Sequence, residues 1–186
     1  MNEKEKDIIE AALILFAERG YDGTTVPLIA ERAHVGAGTI YRYFENKESL
    51  LNVIFSRYVQ LLSKTLQTDF PESASTRAQF RHLFYQLVRF SETDLSALMM
   101  IVSHANVRHL NDSCVADYEA FLDFVRAIVE NGVAKEVIRP LPTNAVISIV
   151  YGAFIHLAQS IQHGEIESSP RLLQEVEESL WRAVSL

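Results

Sequence analysis

The stretch TTVPLIAERAHVGAGTIYRYFENKESL, from Thr24 to Leu50, constrains the fold more than any other part of the chain. Two helical apolar patterns, Val26 to Ala33 and Ala37 to Phe44, are separated only by His34, Val35 and Gly36. Isolated helices shorter than ~12–15 residues are marginal in water, so neither pattern is stable by itself. Thr25 is placed to N-cap the first, and Pro27 sits near its start, where a missing N–H costs little. At ~100° per residue, Ile40 and Phe44 of the second pattern point one way, while Gly38, Thr39 and Arg42 lie toward the other. The apolar face is expected to dock on Leu28 and Ile29 and on a preceding helix through Leu15 and Phe16. The free face carries small residues, which let a helix enter a major groove closely, and Thr39 offers a hydroxyl and a methyl to base edges. Tyr41 and Tyr43 on the flanks, and Lys47 just beyond, are within reach of phosphates. Short aromatic clusters at helical spacing are mostly core, so Phe44 is assigned to the core and the two tyrosines stay open between core and groove.

The rest of the sequence also reads as helix, with no alternating strand pattern and no repeat. Glu3 to Arg19 carries Ile8, Ala11, Ala12, Leu15 and Phe16 at helical spacing, with Gly20 placed to end it. Asn46 is expected to cap a long helix reaching about Gln67. Phe70-Pro71-Glu72-Ser73-Ala74-Ser75 breaks the composition, and two further helices are expected over Thr76 to Ser91 and Leu95 to Leu110. Another carries Tyr118, Phe121, Leu122, Val125, Ile128 and Val129 before Arg139-Pro140-Leu141-Pro142 interrupts. Thr143 to Gln162 is apolar on nearly all sides, and Ser169-Pro170 opens a last helix. The expectation is an all-α chain of about nine helices. Residues 1–47 are expected to form a three-helix helix-turn-helix domain, and residues 48–186 a larger helical domain.

Composition excludes several classes. Among 186 residues, 48% are apolar, enough for a real core. The segment after Met1 has no apolar signal region, and the apolar run Ala145 to Ala158 is shorter than the ~20 residues a bilayer needs, so neither export nor membrane insertion is expected. One cysteine, Cys114, excludes an internal disulfide framework and suits a reducing cytoplasm. The net charge of −7 argues at first against a nucleic-acid partner. Residues 1–47 hold six basic against eight acidic side chains, but Glu3, Glu5, Asp7 and Glu10 gather in the first helix while Arg42 and Lys47 flank the second short pattern. Few phosphate contacts per chain would then make a dimer and helix N-termini more important. Enzyme chemistry finds no foothold. The six histidines show no His-Glu-x-x-His spacing, His109, Asp112 and Cys114 match no standard metal site, and there is no glycine-rich phosphate loop or Gly-x-Ser-x-Gly. No cofactor is expected.

The order Phe16, Gly20-Tyr21, Thr24-Thr25-Val26, Ile29-Ala30, Ala33, Val35, Gly38-Thr39-Ile40-Tyr41, Tyr43-Phe44, Asn46-Lys47 and Leu50-Leu51 resembles the N-terminal DNA-binding domain of the TetR family of bacterial transcriptional regulators. The match covers about a quarter of the chain. It implies a fourth helix leading into a helical regulatory domain, and a homodimer bound to a palindromic operator in double-stranded DNA. Carried over by position, Thr25 contacts phosphate at the start of the second helix. Ala37, Gly38, Thr39 and Tyr43 face bases or backbone, and Tyr41 and Lys47 hold phosphates. This chain departs from many members in having Gly36 and Ala37 where a polar or basic residue is usual, so Ala37 offers only a methyl contact. It also has Leu28 where an acid is common, which assigns Leu28 to the core.

Residues 48–186 carry no comparably specific pattern. Phe80, Phe84, Leu87, Met99, Met100, Phe121, Phe124, Tyr151 and Phe154 form an aromatic and flexible apolar set that either packs as core or lines an effector cavity. His104, Asn106, Tyr151 and His156 are its polar candidates. An effector suited to them is a mostly apolar or aromatic small molecule with one or two polar groups. Ile149, Gly152, Ala153, Val176, Leu180 and Trp181 are the dimer-interface candidates, on the two last helices. Two readings follow: a repressor released from its operator by that effector, or a protein-interaction module anchored to DNA.

Overall fold

The computed structural model describes residues 2–105 and 108–186. Among these, eight helices follow in order: α1 Glu3–Gly23, α2 Val26–Arg32, α3 Ala37–Ile40, α4 Lys47–Gln67, α5 Thr76–His104, α6 Asp112–Ala134, α7 Thr143–Gln162 and α8 Pro170–Val184. The expected Thr76–Ser91 and Leu95–Leu110 helices are one continuous α5, which accounts for eight helices where nine were expected. No proline or glycine separates them, and the only departure from helical geometry is a kink at Asp94, φ −136° and ψ 45°. The only extended pairing among the described residues is an isolated antiparallel bridge between Ile138 and Ser185.

The contacts divide the chain into two compact units, residues 1–63 with 94–119 and residues 64–93 with 120–186. In the first, α1 buries Ile8, Ile9, Ala12, Leu15 and Phe16, each no more than 3% exposed. Asn2 caps its start by accepting from the Glu5 N–H at 3.0 Å. Gly20 interrupts the helical geometry as expected, at φ 66° and ψ −179°, a region open essentially to glycine alone. The helical hydrogen bonding nevertheless resumes to Gly23, so α1 outlasts its sequence-based end. Thr24 is fully buried and donates its hydroxyl to the carbonyls of Gly20 at 2.7 Å and Leu15 at 3.0 Å, closing the turn into α2. Thr25 then caps α2 from outside, and Pro27 occupies its first turn.

The second unit packs Val129, Ile138, Val146 and Val184 around a core joined by Phe80 and Trp181. Phe84 and Phe154 meet edge to face at 5.8 Å, and Phe70 and Phe124 at 5.2 Å. Gly132 is required by close approach: a Cβ there would lie 2.5 Å from Ile138 Cδ1 and 2.9 Å from Thr76 Cγ2. Glu177 on α8 has no solvent exposure and is held by both terminal nitrogens of Arg77, whose guanidinium also lies 5.3 Å from the Trp181 ring. That pairing is what makes a fully buried carboxylate tolerable.

Helix α7 extends over Thr143–Gln162, and among the described residues it is the one helix long and apolar enough, by length and composition alone, to cross a membrane, a test that the core helix of a soluble protein also passes. Only 22% of that apolar stretch is buried within the chain. Leu180 and Trp181 turn inward, Leu180 at 8% exposure and Trp181 against Phe80 at 5.2 Å, so both serve the core of their own unit. Ile149, Gly152 and Ala153 stay on the outside of α7, and Val176 is half-buried.

Candidate nucleic-acid interface

The two short helices sit as the angular argument requires. Ile29, Ile40 and Phe44 are 0%, 2% and 6% exposed, together with Leu15 and Phe16 of α1, whereas Leu28 is only half-buried. His34 adopts a left-handed φ of 53° in the turn between α2 and α3. Its successor Val35 donates to the Ala30 carbonyl at 3.0 Å, which ends α2 firmly. Regular α-helix ends at Ile40 rather than Phe44: the N–H groups of Arg42 and Tyr43 go three residues back, to Thr39 and Ile40, tightening the last turn.

Above this apolar floor, Thr25, Ala37, Gly38 and Tyr41 are exposed and Thr39 is half-buried. Tyr41 is 56% exposed, too much for a core aromatic. Tyr43 is half-buried, and its hydroxyl accepts from Asn2 Nδ2 at 2.6 Å, tying the end of the reading segment to the cap of α1. Arg42 is exposed, with its guanidinium 5.8 Å from the Tyr43 ring. The Asn46 side chain caps α4 by accepting from Ser49 N–H at 2.8 Å, and Ser49 Oγ returns a bond to Asn46 N–H at 3.1 Å.

Lys47 is placed differently from the other candidates. Its ammonium donates to the carbonyls of Tyr21 at 2.7 Å and Thr24 at 2.8 Å, and lies 3.8 Å from the centre of the Tyr21 ring. It neutralises orphan carbonyls at the end of α1. Burial first, then the carboxylates of Glu48 and Asp22, push the Tyr21 phenol above its ordinary 10.0, so the ring under the ammonium is neutral. Nothing in the spacing of the sequence marks this role. Only the pairing of Tyr21 with a lysine at the next long helix start hints at it.

These features belong together as a helix-turn-helix with one face buried and the other open. Residues 8–54 match the family described as bacterial regulatory proteins, tetR family, and residues 55–186 match the tetracyclin repressor-like C-terminal domain. The chain belongs to the TetR family. It is a DNA-binding transcriptional regulator in that family's sense, and the second match extends the resemblance over the larger region where the sequence carried no specific pattern. It is 26% identical over 180 residues to an uncharacterized HTH-type transcriptional regulator of Haemophilus influenzae, covering 96% of this chain and 94% of that one. An uncharacterized regulator of Bacillus subtilis, YhgD, is 24% identical over 157 residues, covering 83% and 82%. Among solved structures, a TetR-family regulator from Marinobacter aquaeolei superposes with a TM-score of 0.82 at 21% identity, over 98% of this chain and 95% of that one.

The other candidates divide between the units. Met99, Met100 and His104 belong to the first, and Phe84, Leu87, Phe121, Phe124, Tyr151 and Phe154 to the second. Met100, Phe84 and Phe154 are at most 2% exposed, Leu87 and Phe121 7%, and Met99, Phe124 and Tyr151 half-buried. His104 is 1% exposed: its Nδ1 lies 2.9 Å from the Met100 carbonyl and 2.8 Å from Ser103 Oγ, while Nε2 has no partner. His156 is exposed, and Asn106 lies outside the described residues. Cys114 is a buried thiol that donates to the Asn52 carbonyl at 3.3 Å, and burial raises its pKa, so it is no nucleophile.

Proposed function

We propose that this TetR-family chain is a homodimeric repressor, acting in the cytoplasm, that binds a palindromic operator and is released from it by a small effector. Residues 1–47 read DNA, through Thr25, Ala37, Gly38, Thr39, Tyr41 and Tyr43, and residues 48–186 carry regulation and dimerisation. The observation that carries this reading is the exposed Thr25, Gly38 and Tyr41 set standing over the buried Ile40 and Phe44. Lys47, being engaged with α1, acts by holding the start of α4 and not as a free phosphate clamp.

Dimerisation is supported by α7, whose exposed Ile149, Gly152 and Ala153 give an apolar surface with small residues that suits close helix packing. The effector is a mostly apolar or aromatic molecule, consistent with the aromatic set around Phe84 and Phe154. Separately, within the first unit, the unpartnered His104 Nε2 is a buried polar atom that a hydrogen bond from a small molecule would satisfy. Effector binding favours a spacing of the two reading helices unlike the ~34–36 Å between successive major grooves, lowering operator affinity. Helix α4 transmits that change.

Sedimentation of the full chain with and without a palindromic duplex is the test. The reading requires a dimer in free solution and two chains per operator. A monomer that binds DNA one to one would contradict it and favour the rival, a protein-interaction module with a DNA anchor.

A further inference from the structure

The first unit contains a set of contacts that no groove contact requires. The connection from α5 to α6 lays residues 109–111 against the beginning of α4, and Asn52 holds it there. Asn52 is 7% exposed, and its side chain is fully used: Nδ2 donates to the carbonyls of His109 at 2.9 Å and Glu48 at 2.8 Å, and Oδ1 accepts from the Asn111 N–H at 2.7 Å. Asn111 in turn caps α6 by accepting from the Cys114 N–H at 2.9 Å.

With its backbone held in this way, His109 lays its ring against Tyr21. It stacks on Tyr21 at 4.0 Å with the planes 22° apart, and its Nδ1 lies 3.6 Å from Glu48 Oε2. The Lys47 ammonium lies 3.8 Å from the centre of the Tyr21 ring, so His109 and Lys47 both bear on Tyr21. Lys47 grips the carbonyls of Tyr21 and Thr24, and the next residue, Thr25, is the N-cap of α2. Direct contacts therefore run without a gap from the 109–111 loop to the first residue of the reading pair.

From this we infer that His109, seated by Asn52, is a positioning residue for operator binding: it holds Tyr21 and Lys47 so that α2 and α3 meet DNA already in register. The inference rests on the DNA-binding reading above and deepens it by extending the functional unit to a loop about sixty residues beyond the helix-turn-helix. The affinity gain is that of preorganisation, because a segment ordered before binding does not have to be ordered by it.

The test uses the full chain and a duplex selected from random DNA. His109→Ala removes the stack, His109→Phe keeps an aromatic ring against Tyr21, and Asn52→Ala releases the loop. Operator affinity is measured for the active fraction of each preparation, determined by stoichiometric titration, across a range of salt. We expect His109→Ala and Asn52→Ala to weaken binding about tenfold, and His109→Phe to return to within about twofold of the parent. The slope of log affinity on log salt stays at the parent value, since no phosphate contact is lost. His109→Ala binding as tightly as the parent, or more tightly, would overturn the inference. So would a shallower salt slope, which would make His109 itself a phosphate contact. A parent chain that selects no sequence would instead remove the DNA-binding reading on which the inference stands.

Discussion

At the scale of single residues, the aromatic cluster that ends the helix-turn-helix divides by burial. Phe44, at 6% exposure, is core, and Phe44→Ala is expected to cost about 3–5 kcal/mol of stability, read by denaturant unfolding. His104 is a second residue whose environment makes a prediction. Burial lowers its pKa from the ordinary 6.5, against the opposing pull of the Met100 carbonyl, so the folded chain keeps it neutral. Well above pH 6.5 neither the folded nor the unfolded chain protonates it, and it contributes no pH dependence. Below that value the unfolded chain takes up a proton that the folded chain does not, so stability falls with pH until the lowered folded pKa is passed. A pH series of urea midpoints should fall below about 6.5 in the parent and be flatter in His104→Leu. Such a histidine is legible in sequence only as a polar residue among apolar neighbours. Its tautomer and its unpaired nitrogen depend on Met100 and Ser103 being one turn and one residue away on a buried helix.

Helices were the most legible level, because their start signals are local. Thr25, Asn46 and Ser169 all cap where their side chains suggest, and Pro27 and Pro170 lie in first turns. The misjudged boundaries are those that tertiary contacts decide. Residues 91–95 looked like a break, yet α5 crosses them with only a kink at Asp94, and α3 is cut to one turn by the three-residue hydrogen bonds of Arg42 and Tyr43. Lys47 sits at a helix start in sequence, and its service to the end of α1 comes from a contact across 26 residues. Helix α8 is fixed by charge in a way no periodicity announces. Arg77→Met would leave Glu177 buried without its main partner, with Arg81 only at 3.7 Å, and is expected to cost about 3–5 kcal/mol. Glu177→Gln in the same background should recover much of that loss, which thermal denaturation of the three chains would reveal.

For the whole molecule, the net charge of −7 leaves few basic side chains for phosphate. Three of the early acids, Glu3, Asp7 and Glu10, line a groove of about 510 Å³ together with Lys4, Arg32 and the His34-Val35 turn that precedes α3. On the dimeric reading proposed above, few phosphate contacts per chain make a second copy important to affinity, and the exposed face of α7 is the surface proposed for it. Gly152 is exposed with nothing within 4 Å of an added Cβ, so Gly152→Glu is tolerated by the isolated chain. The same change should drive the dimer to monomer in sedimentation and reduce operator affinity, while helicity by circular dichroism stays the same. A dimer that survives it would move the interface off this face of α7.

The measurement that bears most directly on the account is selection of binding sequences from random duplex DNA by the full chain at fixed salt, with Tyr41→Ala beside it. Tyr41 is 56% exposed, so its removal leaves the fold intact and isolates its part in recognition. The account predicts an enriched palindrome for the parent and its loss in Tyr41→Ala at equal thermal stability. A folded parent that enriches no sequence, or a variant that selects the same palindrome with undiminished affinity, would contradict it.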